Sequence, residues 1–257
     1  HLSTNMCAEH RRDVLKRVRA RLKAGETCRL ISTQCVEAGV DLDFPLVYRA
    51  LAPLEAIAQA AGRCNREGRL NEQGRLGKVV VFEPSAEEDL RRCYPTYAYY
   101  QAAEVTRTML TLHGDLNIND PALFRDYYQR LYDLNNPANL NQALNDAITA
   151  LDFPEVAKHY RLIDQNTIQV LVPWVERWEE FDTLRNEAER VGISAKWMRS
   201  AQGLAVSIYL TQEGPPAWAI PAKLRRGGTS DEWFFLEGDY YDDTLGLNPP
   251  KGEQVFI

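Results

Sequence analysis

Residues 59–66 read QAAGRCNR, a QxxGRxxR pattern with a glutamine and two arginines set three and four positions apart. On a helix those spacings put Gln59, Arg63 and Arg66 on one face. Gly62 lets another surface come close. Two neighbouring guanidiniums form a planar, permanently charged fork that matches phosphate oxygens. In phosphoryl transfer such a pair offsets the charge building on the transferred group, an effect of about 10³–10⁵ in rate where measured. Taken alone, two arginines on a helix more often mark an ordinary solvated face.

A second segment, residues 32–43, reads STQCVEAGVDLD. It follows a short apolar run and precedes the arginine segment by about one crossover. Ser32 and Thr33 would stand at the carboxyl end of a parallel strand, where open α/β sheets bind ligands. Hydroxyls and backbone N–H groups there can hold a nucleic-acid phosphate without reading sequence. Gly39 permits a tight turn, and Asp41 could accept a hydrogen bond from a ribose hydroxyl. By itself this segment reads as a loop with a helix cap and a turn.

The elements that must position these residues alternate. Residues 10–24 carry Val14, Leu15, Val18 and Leu22 on one helical stripe, with Gly25 placed to stop it. Residues 28–32, 44–50 and 78–82 are strand candidates, the last apolar on both faces as parallel strands are. Pro53 opens a helix through Leu54, Ile57, Ala58 and Ala61 that residues 65–68 close. Strands alternating with helices imply crossover units and a parallel sheet. Such a sheet normally begins with a strand, yet residues 1–4 lead directly into a helix and no initiator methionine is present, so the chain is expected to be part of a longer protein.

From residue 83 to about 154 the pattern turns helical and tyrosine-rich. Residues 160–163 and 167–172 flank DQN and read as a hairpin. A helix follows through Trp174, Trp178, Phe181 and Leu184 to Gly192, and residues 204–210 and 233–236 are further strand candidates.

Composition sets the bounds. The 257 residues are 45% apolar and 26% charged, enough for a real core. No apolar run is long enough to cross a bilayer, and no secretory leader opens the sequence. Five cysteines, an odd number without a CxxC pair, argue against a disulfide framework or zinc ribbon and for a reducing, cytoplasmic setting. The four histidines are too scattered for a metal cluster, so no metal ligands are assigned. The net charge of −6 divides into +5 over residues 1–78 and −11 beyond, so only the front part is suited to face a polyanion.

In order and spacing, residues 32–43 and 59–66 resemble motifs V and VI of superfamily 2 helicases. The longer run STQCVEAGVDLDFPLVYRALAPLEAIAQAAGRCNREG, with HLSTNMCAEHRR upstream, resembles the CRISPR-associated helicase–nuclease of type I systems. The likeness is tight over residues 1–84, and YRLIDQNTIQVLV is similar to the start of that family's C-terminal domain. It implies an α/β fold with a partial RecA-like parallel sheet: the second helicase lobe at 1–84, truncated at its N-terminus, a helical linker at 85–155 and an accessory C-terminal α/β domain at 156–257. It also implies that Arg63 and Arg66 reach an ATP γ-phosphate, that Gln59, Glu37, Gly39 and Asp41 lie close to the nucleotide, and that Ser32, Thr33 and Gln34 touch single-stranded DNA. The family unwinds DNA 3′ to 5′ with ATP after recruitment by an RNA-guided surveillance complex, and degrades it with a metal-dependent HD nuclease domain.

The departures are as informative. GxxxxGK[ST] is absent, Asp231-Glu232-Trp233-Phe234 lies after motif VI and lacks the histidine of a DExH box, and His113-Gly114-Asp115 is not an HD dyad. ATP and Mg²⁺ would be held mainly by a lobe outside this sequence, so the fragment alone is expected to be inactive. The alternative reading is a non-catalytic module that docks on the surveillance complex or clamps single-stranded DNA. Seven basic residues among thirteen at 11–23 fit either a DNA-tracking face or a solvated one. The tyrosines at 94–100 and 127–132 favour packing over base stacking. Trp174, Trp178 and Trp233 read as core, and Cys35 and Cys64 as small packing residues.

Overall fold

The computed structural model describes residues 1–37, 39–83, 91, 94–134, 142–160, 167–210 and 214–249. The chain forms two compact units, one from His1–Val40 with Gln165–Ile257, the other from Asp41–Asp164. Both mix helix and strand, giving the α/β class expected.

In the second unit, β1 (Leu46–Ala50) and β2 (Lys78–Phe82) pair in parallel from Leu46↔Lys78 to Ala50↔Phe82. The crossover between them carries α2 (Leu54–Ala61), which buries Leu54, Ala56, Ile57 and Ala60. Expectation and structure part at two points. The helix ends at Ala61 with Gly62 as its cap, short of Arg63. And β2 is not covered on both faces, since Phe82 is 45% exposed and the pair has no third strand among the described residues. Two strands are too few to form a sandwiched sheet layer. The helices α3 (Tyr97–His113) and α4 (Pro121–Leu134) enclose a cluster of Leu54, Val105, Met109 and Tyr127. Thr96 caps α3, its hydroxyl accepting the Tyr99 N–H at 3.1 Å. The shorter α5 (Gln142–Thr149) and α6 (Phe153–His159) complete this unit's helices among the described residues. Tyr127 is fully buried as packing predicts, whereas Tyr97, Tyr128 and Tyr132 are exposed.

In the first unit, α1 (Ala8–Lys23) buries His10, Val14 and Val18. It ends as expected at Gly25, whose left-handed backbone (φ 71°) lets its N–H and that of Glu26 bond the Leu22 and Arg21 carbonyls. The strand expected at 28–32 reduces to a single parallel bridge, Leu2↔Ser32, and Ile31 is 76% exposed. The same unit holds β3 (Thr167–Leu171), α7 (Trp178–Val191), α8 (Ala195–Ala201), β4 (Ala205–Tyr209), β5 (Ala219–Lys223) and β6 (Thr229–Leu236). The sheet order is β4-β3-β6-β5, with β3 antiparallel to β4 and parallel to β6. Of the expected hairpin only the second strand, β3, is seen, because residues 161–166 lie outside the described ones. Trp174 and Trp233 are core, but Trp178 opens α7 at 53% exposure, a correction to its reading as core. A small antiparallel hairpin, β7 (Tyr241–Asp242) with β8 (Gly246–Leu247), closes this unit.

Candidate functional site

The expected site residues fall into two groups, one in each unit. In the first unit, Ser32, Thr33 and Gln34 follow the Leu2 bridge. Leu2 donates its N–H to the Ile31 carbonyl at 2.9 Å and accepts the Thr33 N–H at 3.1 Å. Gln34 begins a 3-10 turn, Gln34–Val36, that Glu37 closes by donating its N–H to the Gln34 carbonyl. Thr33 and Gln34 are exposed, Ser32 and Glu37 half-buried, and Gly39 is exposed with φ 70°, the left-handed turn expected of it.

Cys35 organises this loop. Its thiol lies 3.5 Å from the Ser32 hydroxyl and 3.6 Å from that of Thr33, and 3.5 Å from the Leu2 carbonyl, to which it donates. The Ser32 hydroxyl also donates to the Thr33 carbonyl at 2.9 Å. The sequence alone marks Cys35 as a small packing residue. Its spacing of two and three residues from the hydroxyls is the signal that could have marked it as their common neighbour.

In the second unit, Gln59 is exposed on the last full turn of α2. Arg63 and Arg66 stand beyond the helix end, so the helical period that set all three on one face does not reach the arginines. What holds them is a turn pinned to the strand entrance. Phe44 donates its N–H to the Arg63 carbonyl at 2.9 Å, and Asn65 donates its own to the Phe44 carbonyl at 2.8 Å. Asn65 adopts φ 49°, a conformation asparagine tolerates. Its side-chain oxygen accepts the Leu70 N–H at 2.9 Å and its amide donates to Asn71 at 2.9 Å.

Arg66 is fixed twice. Its guanidinium pairs with Asp41, Nε to Oδ1 at 3.0 Å, and its backbone N–H donates to Asp43 Oδ1 at 2.7 Å. The two acidic residues of the GVDLD stretch thus serve one arginine, one through the side chain and one through the main chain. Asp43 was not among the expected site residues, although its place two positions after Asp41 offered the hint. Cys64 is anchored between them, donating to the Lys78 carbonyl at 3.3 Å. Burial, helped by the Asp43 carboxylate, pushes its thiol pKa up, which keeps it protonated and inert.

Chemically, the turn offers guanidiniums to an anion, and the loop offers hydroxyls and amides. Among the described residues no group of three or more His, Cys, Asp or Glu side chains is arranged to hold a metal ion. The carboxylates at the turn, Asp41 and Asp43, both bond Arg66. Among the same residues no helix is long and apolar enough to cross a membrane.

Comparisons with known proteins show what this chain is similar to. Residues 1–69, which span both groups, match the family described as CRISPR-associated nuclease/helicase Cas3, C-terminal. The CRISPR-associated nuclease/helicase Cas3 of Haloferax volcanii is 68% identical over 37 residues, 14% of this chain and 4% of that protein. The CRISPR-associated endonuclease/helicase Cas3 of Thermus thermophilus is 28% identical over 120 residues, 46% of this chain and 13% of that protein. In fold, the crystal structure of T. fusca Cas3-ATP aligns with a TM-score of 0.52 at 15% identity, covering 92% of this chain and 32% of that one. T. fusca Cas3 alone aligns with a TM-score of 0.52 at 16% identity. The chain spans about a third of the length of those crystallised chains. It is similar to the C-terminal part of Cas3, as the wording of its motifs implies.

Proposed function

We propose that this chain is the C-terminal portion of an ATP-dependent, single-strand DNA translocase and helicase that unwinds and degrades foreign DNA in type I CRISPR interference. Residues 1–84 would contribute most of the second RecA-like lobe, residues 85–155 a helical linker and residues 156–257 an accessory domain. Arg63 and Arg66 neutralise the γ-phosphate of ATP as it is transferred, with Gln59, Glu37, Gly39 and Asp41 close to the nucleotide. Ser32, Thr33 and Gln34 hold a DNA phosphate. ATP and Mg²⁺ are gripped mainly by a first lobe outside this chain, and an RNA-guided surveillance complex delivers the DNA. The protein works in the cytoplasm.

The observation that carries this reading is that one family match, residues 1–69, includes both the Ser32–Gln34 loop and the Arg63–Arg66 turn. The turn is held by backbone bonds from Phe44 and Asn65, which do not involve the arginine side chains. That separation makes the reading testable. In the intact protein, Arg63→Ala should abolish DNA-stimulated ATP hydrolysis while the thermal unfolding curve is retained. Wild-type turnover by that variant removes the assignment and leaves the binding-module alternative.

A further inference from the structure

The N-terminal segment that supports the loop proposed to grip DNA is itself held by residues more than 200 positions away. In the β7–β8 hairpin, Leu247 donates its N–H to the Asn5 carbonyl at 2.7 Å. Gly246 is pressed so closely against that residue that a Cβ there would lie 2.4 Å from the Asn5 carbonyl oxygen. The Tyr241 hydroxyl accepts the Cys7 N–H at 3.0 Å and meets the His10 ring, Nδ1 to oxygen, at 2.9 Å. The His10 ring in turn stacks on Trp174, centroids 5.0 Å apart and planes within 10°. The hairpin turn is itself tied by Asp242, whose carboxylate accepts the N–H groups of Thr244 at 2.7 Å and Leu245 at 2.6 Å.

Residues 5–7, held by that hairpin, lie only three to five positions from Leu2. Leu2, 1% exposed, supports the loop's backbone from both sides: it bonds Ile31 on one side and Thr33 on the other, and accepts the Cys35 thiol as well. A bond made at Tyr241 or Leu247 therefore reaches Thr33 through one short turn of chain in which Leu2, Ser3, Met6 and Cys7 are buried and Met6 donates its N–H to the Ser3 carbonyl.

The geometry points to the Tyr241–Leu247 hairpin as the support that positions the Ser32–Gln34 loop, with Tyr241 as its principal positioning residue. This rests on the reading of that loop as a DNA contact. In mechanical terms, the hairpin near the far end of this sequence sets how firmly the loop presents its hydroxyls and amides to a phosphate. An anion-binding loop held in its bound shape loses less entropy on binding, so loosening its support weakens binding without altering the chemistry of ATP.

The test uses the intact protein with the variants Tyr241→Phe and Asp242→Ala; the latter changes an exposed residue and so serves if loss of the tyrosine hydroxyl prevents folding. Thr33→Ala is the comparison, with an unpaired oligodeoxynucleotide as probe. Losing one bridging hydrogen bond should raise the oligonucleotide concentration for half-maximal ATPase about three- to tenfold, with turnover at saturating DNA unchanged. The Thr33 amide should exchange its hydrogen faster by a similar factor. Unchanged exchange at Thr33 in both folded variants overturns the proposal. So does a DNA dependence that shifts for Thr33→Ala but for neither hairpin variant, which leaves the DNA reading standing. A wild-type ATPase that ignores DNA overturns that reading and this proposal together.

Discussion

The Arg66 guanidinium rests on the Asp41 carboxylate, Nε to Oδ1 at 3.0 Å, at the protein surface. The side chains are 42% and 72% exposed, so solvent and salt screen the pair. Such a contact is easily exchanged. Asp41 holds the arginine in place of the phosphate that the proposed mechanism would supply, while the Asp43 bond to the Arg66 N–H keeps the main chain where it is.

Separate fates for stability and activity follow. An exposed ion pair contributes about 0–1 kcal/mol. Asp41→Asn or Arg66→Ala should therefore move the thermal midpoint of the intact protein by under about 4 °C. Arg66→Ala should nonetheless reduce ATP turnover by about 10³–10⁵, the loss seen when an arginine that meets the transferred phosphoryl group is removed. Comparing calorimetric midpoints with steady-state turnover decides it. A large drop in midpoint would make Arg66 a structural residue.

Gly77 supplies a second check on how the arginine turn is held. A Cβ at this position would sit 2.7 Å from both Cys64 Sγ and Asn65 Cβ, against the residues between Arg63 and Arg66. Gly77→Ala should destabilise the protein by about 1–3 kcal/mol through overpacking. Urea denaturation would measure it. Adding Cys64→Ala should recover part of the loss, because the sulfur is one of the two clashing atoms. Gly25→Ala meets no atom within 4 Å, so its cost should come from the left-handed backbone alone, about 1 kcal/mol.

Local chemistry was legible in the sequence where it depended on neighbours in the chain. Gly25 ends α1 and Pro53 precedes α2, since turn and cap preferences act within a few residues. β1, α2 and β2 follow the alternation read from residues 44–82. The end of α2 was missed because QAAGRCNR keeps helical spacing to Arg66, while Phe44, some twenty residues earlier, captures the Arg63 carbonyl and the Asn65 N–H and turns the chain away. Trp178 was misplaced for a related reason: its spacing to Phe181 puts both near one stripe of α7, yet Phe181 is buried and Trp178 stands at the helix start in solvent. The packing of residues 2–10 against the 241–247 hairpin left no mark at all. No periodic pattern records a contact between positions about 240 residues apart, and His10 looked like one more scattered histidine.

That buried histidine gives the protein a pH dependence with a definite sign. Burial lowers the His10 pKa from its ordinary 6.5, a shift opposed by the Asp243 carbonyl and carboxylate, reinforced by Arg17 and opposed again by Asp13. The neighbouring Cys7 and Tyr241 are pushed upward by burial and stay neutral across the same range. Below pH 6.5 the unfolded chain takes up a proton that the native ring resists, so the unfolded state binds more protons and stability falls as the solution is acidified. Above 6.5 both states are neutral and the effect vanishes. The slope can reach at most about 1.4 kcal/mol per pH unit for one proton. Glu155, whose pKa the Lys158 ammonium holds below 4.5, contributes only at more acidic pH. Between pH 7.5 and 5 the midpoint of thermal unfolding should therefore decline, and His10→Gln, which keeps a polar partner for the Tyr241 hydroxyl but cannot titrate, should flatten that decline. An equal slope in the variant and the wild type would assign the acid sensitivity to other groups.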